Sequence, residues 1–192
     1  MSKVVIVYHS GYGHTQKLAE AVAAGAREGG AETELISATE LQSPDQGPWD
    51  RLAAADAIVF GAPTYMGSVS APFKAFMEAS SKVWFTQGWK DKIAAGFTNS
   101  GSPSGDKLNS LVQLAVFAAQ HSMVWVSTGQ LPGFGSSDAK YDEAVNRGGY
   151  YLGVGAQSFT DQSAEIAPGA NERETGRQFG ARIAKAAKRW AA

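Results

Sequence analysis

The stretch Val4-Val5-Ile6-Val7-Tyr8, followed across His9 by Ser10-Gly11-Tyr12-Gly13-His14-Thr15, reads as a buried strand ending in an anion-cradling loop. A continuous apolar and mostly β-branched run is what a strand covered on both faces by helices requires, as in a parallel sheet. From Lys17 to Glu28, Leu18, Val22 and Ala26 recur at helical spacing, so a helix starts where the loop ends. Small residues and hydroxyls at such a junction let backbone N–H and side-chain O–H groups converge on an anion, and the helix N-terminus adds partial positive charge. The loop is neither the glycine fingerprint of dinucleotide sites nor the Walker phosphate loop. Its glycines lie only two positions apart and no Gly-Lys-Ser/Thr follows, which disfavours a nucleoside triphosphate. Taken alone, the loop is also compatible with a tight turn in which Gly11 and Gly13 merely permit positive φ.

The same chemistry recurs after two later apolar runs. Pro63-Thr64-Tyr65-Met66-Gly67-Ser68 follows Ala57-Ile58-Val59-Phe60, and Asn99-Ser100-Gly101-Ser102-Pro103-Ser104-Gly105 follows Ile93-Ala94-Ala95-Gly96-Phe97. In an open doubly wound sheet the loops at the carboxyl ends of the strands line one crevice. Three such loops suggest one ligand carrying a phosphate, a polyol and a flat ring. The pattern along the chain predicts strands at 3–8, 32–37, 56–61, 92–98 and 123–127, and helices at 14–29, 71–82, 106–120 and 171–190. That alternation is a βαβ series. The glycine-rich segment 129–170 has little helical period, which suggests function or intersubunit packing.

Size and charge narrow the classes. A chain of 192 residues with 44% hydrophobic content is ample for one α/β domain, expected to span 1–192, because no linker or charge block divides it. With no cysteine there is no disulfide framework, thiolate metal site or catalytic thiol. No metal site is expected. No apolar run approaches the roughly 20 residues needed to cross a bilayer, and no signal peptide is visible. A cytoplasmic setting, without membrane association, is the expectation. A formal net charge of −1 argues against nonspecific nucleic-acid binding and against an acidic carrier surface. The basic residues Arg182, Lys185, Lys188 and Arg189 read as a solvated helix face.

Four motifs carry a family resemblance: Tyr8 through Thr15; Gly61-Ala62-Pro63-Thr64-Tyr65-Met66-Gly67 leading into Phe73-Lys74-Ala75-Phe76-Met77; Gln120-His121-Ser122-Met123-Val124; and Gly155-Ala156-Gln157-Ser158. With these, the chain resembles the flavodoxin-like superfamily and, nearly end to end, its WrbA-like NAD(P)H:quinone oxidoreductases. The resemblance implies a three-layer sandwich with a five-stranded parallel sheet in the order 2-1-3-4-5 and helices on both faces. It implies an FMN-dependent enzyme that moves a hydride from NADH or NADPH to quinones by a ping-pong mechanism. A homotetramer, or a dimer, is the implied assembly. The rival expectation is an FMN electron carrier without nicotinamide oxidation.

Residue roles follow. Ser10 and Thr15 would donate hydroxyl hydrogen bonds to the FMN phosphate, and Tyr12, Gly13, His14 and Thr15 backbone N–H groups, with Gly11 shaping the loop. His14 would face the phosphate as a cation or cap the turn as a neutral ring. Pro63, Thr64, Tyr65, Met66 and Gly67 would wrap the isoalloxazine, Tyr65 standing where the family frequently carries Arg. Asn99, Ser100, Gly101, Ser102 and Gly105 would close over the ribityl and phosphate side, with Pro103 removing one N–H donor. Taken alone, His121 at a helix C-terminus reads as a dipole-complementing residue. The resemblance instead places it beside the flavin, where it could hydrogen-bond a quinone oxygen and assist protonation. Trp84 and Trp89 flank an exposed-looking turn. The resemblance makes Trp84 the aromatic wall that one subunit offers to its neighbour's pocket, and Tyr150 and Tyr151 either extend that wall or simply pack.

Overall fold

The computed structural model describes residues 1–191. The chain opens in alternation: β1 (Lys3–Tyr8), α1 (His14–Glu28), β2 (Glu32–Ser37), the short α2 (Trp49–Ala53) and β3 (Ala57–Tyr65). Then come β4 (Ser68–Val69), α3 (Ala71–Ala79), α4 (Ser81–Phe85), β5 (Ile93–Ser100), α5 (Lys107–Gln120), β6 (Val124–Trp125), β7 (Val154–Gln157) and α6 (Ala170–Trp190).

The sheet has seven strands, not the expected five. Its main path runs β2-β1-β3-β5-β6, with β4 paired to β3 and β7 paired to β5. The order 2-1-3-4-5 is therefore replaced by 2-1-3-5-6, for two physical reasons. First, β3 outruns its expected end and turns back on itself, Thr64 pairing with Val69 and Tyr65 with Ser68 in an antiparallel ladder. Met66 and Gly67 at the tip both have positive φ, 50° and 78°, the mirror-image turn that matches strand twist. Second, the edge position beside β5 is filled by two short pieces. β6 pairs with Ile93 and Ala94, and β7 with Phe97 through Ser100. The chain leaves the sheet between them, and the Trp125 indole N–H donates to Leu152 O at 2.8 Å, stitching the departure to the return.

Strand alternation sorts β1 onto two cores. Val4 and Ile6 pack with Leu18 and Val22 of α1 and Phe179 and Ile183 of α6. Val5 and Val7 face the other side, with Phe60, Phe73, Phe76, Leu114 and Phe117. Helices α1 and α6 touch at glycines: a Cβ on Gly25 would stand 1.7 Å from Arg177 O, and one on Gly180 1.9 Å from Val22 O. The helix expected over 71–82 breaks at Ser80, whose hydroxyl donates to Met77 O at 2.7 Å. Trp89, expected beside an exposed turn, is buried in the second core within 6.3 Å of the Trp49, Phe60 and Phe76 rings.

Candidate functional site

The carboxyl ends of β1, β3, β5 and β7 border a cleft of about 530 Å³. Ser10, Tyr12, His14 and Thr15 line one wall, Pro63 and Tyr65 a second, and Asn99, Ser100 and Gly101 a third. Ser158, Thr160, Gln162 and Ser163 close the fourth. The sequence reading missed that last wall because β7 is four residues long. Its signal, a hydroxyl-rich run following Gly155-Ala156-Gln157, was nevertheless of the same kind as the other three.

At the head of α1, Gly13 takes the left-handed conformation with φ 87° and offers no side-chain cap. Ser10 Oγ accepts from the Gln16 N–H at 3.2 Å, and the preceding N–H groups of the first turn have no intrahelical acceptor. No acidic residue occupies that turn, so the helix end keeps its attraction for an anion. A Cβ on Gly13 would lie 2.8 Å from Ala164 Cβ, and one on Gly11 2.5 Å from the Tyr65 hydroxyl. Tyr65 thus reaches across to the loop and meets Tyr12 edge-on at 6.4 Å. His14 donates from Nε2 to Gln162 O at 2.9 Å, a tether holding the fourth wall over the first. Asn99 Oδ1 accepts from Ser158 Oγ at 2.8 Å. Ser100 Oγ is buried without a partner among the described residues, which leaves a hydroxyl for a ligand.

Other expected residues lie off the cleft. Thr64 is buried in a hydroxyl cluster, 2.7 Å from Thr98 Oγ1 and 2.8 Å from Ser110 Oγ. Met66 is fully exposed at the hairpin tip with Gly67. Ser102 and Gly105 belong to the loop between β5 and α5 but do not line the cleft. His121 and Trp84 border a second groove of about 610 Å³ between α3, α4 and α5. Lys107 begins α5 beside the cleft loop and His121 follows its last turn, so about 20 Å of helix separates the two ends. Within one chain His121 does not reach the cleft.

The chemistry of His121 is also specific. Ser80 spends its proton on Met77 O, so the 2.9 Å contact between Ser80 Oγ and His121 Nε2 is donated by the imidazole. Nδ1 is then a bare, buried and unpartnered acceptor. The ring lies 4.4 Å from Trp89 and 4.9 Å from Phe117, and burial pulls its pKa down to about 4. It is therefore not a cationic acid at neutral pH.

Behind the loop of Gly101 to Gly105, α5, α6 and the segment between β6 and β7 supply a buried polar group that the sequence reading did not anticipate. Arg147 Nε donates to Glu172 Oε1 at 2.7 Å, which also accepts from the Gln157 N–H at 3.0 Å. Lys107, completely buried, holds the carbonyls of Ser102, Pro103 and Ser104. Its only sequence signal was a lysine at the first position of an amphipathic helix.

A twisted parallel sheet with this order, and an anion-receptive loop leading from its first strand into its first helix, defines a flavodoxin-like protein. Comparison with known proteins narrows this. Residues 2–133 match the NADPH-dependent FMN reductase family, and the chain belongs to that family, among its WrbA-like NAD(P)H:quinone oxidoreductases. It is 42% identical to flavodoxin FldP of Pseudomonas aeruginosa over 96% of both chains. It is 31% identical to an NAD(P)H dehydrogenase (quinone) of Archaeoglobus fulgidus, covering 98% of this chain and 99% of that one. The crystal structure of a WrbA-like flavodoxin from Agrobacterium tumefaciens superposes with a TM-score of 0.74 at 42% identity, over 98% and 99% of the two chains.

Proposed function

We propose that this protein is an FMN-dependent oxidoreductase that passes a hydride from NADH or NADPH to quinones by a ping-pong mechanism. The observation that carries the reading is the uncapped, acid-free head of α1 opening into a four-walled cleft at the carboxyl edge of the sheet. The residues fit FMN: Ser10, Thr15 and the first-turn N–H groups suit its phosphate, the orphan Ser100 hydroxyl its polyol, and Pro63, Tyr12 and Tyr65 its flat ring. FMN, when bound, supplies the hydride-accepting and hydride-donating ring; the chain supplies binding, orientation and exclusion of water. Ser10, already accepting from Gln16, has its hydroxyl proton free for a phosphate oxygen. His14 keeps the mouth narrow by holding Gln162.

Self-association is part of this reading. Leu108, Val112 and Val116 form an exposed apolar stripe on α5, and Trp84 and Phe85 are exposed beside it. A second copy covering that face, in a dimer or tetramer, would bring His121 and Trp84 near a neighbour's cleft, the arrangement that gives them a role. The carrier reading is favoured by the 42% identity to a relative named flavodoxin. Anaerobic mixing of the FMN-loaded protein with NADH and NADPH, then with benzoquinone, separates the two. Rapid bleaching and quinone-driven recovery of the flavin band are expected; a bound flavin that neither donor reduces would leave the carrier reading standing.

A further inference from the structure

Lys107 is a lysine with no exposed surface and no carboxylate within ion-pair distance among the described residues. The nearby acid, Glu172, is engaged by Arg147. Burying an unpaired ammonium is costly, and the fold meets that cost with backbone oxygens alone. Lys107 Nζ donates to Ser102 O, and to Pro103 O and Ser104 O at 3.2 Å each. Two further donors reach the same loop: Gln157 Nε2 to Gly101 O at 2.9 Å and Tyr150 Oη to Ser104 O at 3.0 Å.

Four consecutive carbonyls, 101 through 104, are thereby fastened toward the protein. In a trans peptide the N–H points opposite to the C=O of the same plane, so the N–H groups of Ser104 and Gly105 are turned away from Lys107 and that of Ser102 away from Gln157. Pro103 has none. A buried positive charge set behind a cleft wall favours an anion in the cleft. The same loop lines the cleft through Ser100 and Gly101, in the wall that accompanies Ser10 and Thr15.

We infer that Lys107 is a positioning residue for the cofactor phosphate: by anchoring the 102–104 carbonyls, it holds the loop that lines the cleft through Ser100 and Gly101 and places its own charge behind that wall. The inference rests on the FMN reading above. Its charged surroundings are Glu172 on α6, with Arg147 and Tyr150 from the excursion between β6 and β7. Burial pulls the ammonium down to about 8, Glu172 acting against this and Arg147 with it.

The test is a titration of FMN and of riboflavin, read by quenching of flavin fluorescence, into the wild type and Lys107→Met. Circular dichroism establishes that the variant is folded. Lys107→Met is expected to weaken FMN about tenfold or more, in line with the loss of charge-assisted donors, while riboflavin changes less than about twofold. An unchanged FMN affinity, or equal losses for FMN and riboflavin, would overturn the inference. A wild type that binds neither flavin would sink the FMN reading itself. Should Lys107→Met not fold, the wild type decides alone. Its preference for FMN over riboflavin is expected to decline as pH rises from about 7.5 through 9, where the phosphate, with a second pKa of about 6, is almost wholly ionised, and a flat ratio overturns the inference.

Discussion

Replacing His121 with Gln should make the protein less sensitive to acid. The imidazole is buried between Trp89 and Phe117 with its only hydrogen bond among the described residues donated to Ser80. Burial lowers its pKa from 6.5 to about 4. Between those values the unfolded chain binds a proton that the native chain refuses, so stability falls as pH drops through this window. The neutral imidazole is favoured fully above about pH 7. Integrating the linkage gives about a thirtyfold shift in the folding equilibrium at pH 5, or about 2 kcal/mol, rising to about 3 kcal/mol at pH 4. Urea denaturation followed by circular dichroism, at pH 7.5 and pH 5, measures this for both proteins. His121→Gln loses ring packing at both pH values, so its absolute stability is not the readout. The expected result is that the wild type's advantage over the variant shrinks by about 2 kcal/mol on going to pH 5. Parallel stability profiles would refute the buried neutral state of His121.

Three other perturbations have defined outcomes. Gly180→Ala places a methyl against Val22 O and should lower the urea stability by about 1–3 kcal/mol through separation of α1 and α6. Glu172→Gln leaves the buried Arg147 guanidinium with only the exposed Asp142 carboxylate as countercharge and should cost about 3 kcal/mol, again read by denaturation. Ser10→Ala removes both the acceptor for Gln16 N–H and the hydroxyl offered to phosphate. It should weaken FMN in fluorescence titration about tenfold without altering the far-ultraviolet spectrum.

The order of elements was legible because periodicity is strong where helices cover both faces of a strand. Val4 through Tyr8 and Ala57 through Phe60 are continuous apolar runs, and both lie in the sheet centre. The edge of the sheet was not legible for the same reason in reverse. Val124-Trp125 and Val154-Gly155-Ala156-Gln157 are too short for a period to develop, and only their shared partner β5 makes them one position. Likewise Ser10, Pro63 and Asn99 could be read as cleft residues because each closely follows or ends a recognisable strand. Thr64 could not be separated from them, since its inward turn toward Thr98 and Ser110 depends on which face of β3 a ladder assigns it. Thr160, Gln162 and Ser163 went unread, and Ser158 was read only as the end of a motif, for lack of a visible strand before them.

His121 shows where motif and geometry part. Its motif follows α5, whose other end borders the cleft loop, and a helix of 14 residues spans about 20 Å. No rotamer of a histidine covers that distance, so a shared role for His121 and the cleft requires the end of α5 from another copy. The same end of the molecule exposes Val112, Val116 and Trp84, apolar surface that costs free energy in water. The two readings of function therefore divide on assembly as well as on chemistry. A carrier can hold FMN in the cleft of one chain, whereas an enzyme that uses His121 or Trp84 at the flavin needs the apolar face covered by a neighbour.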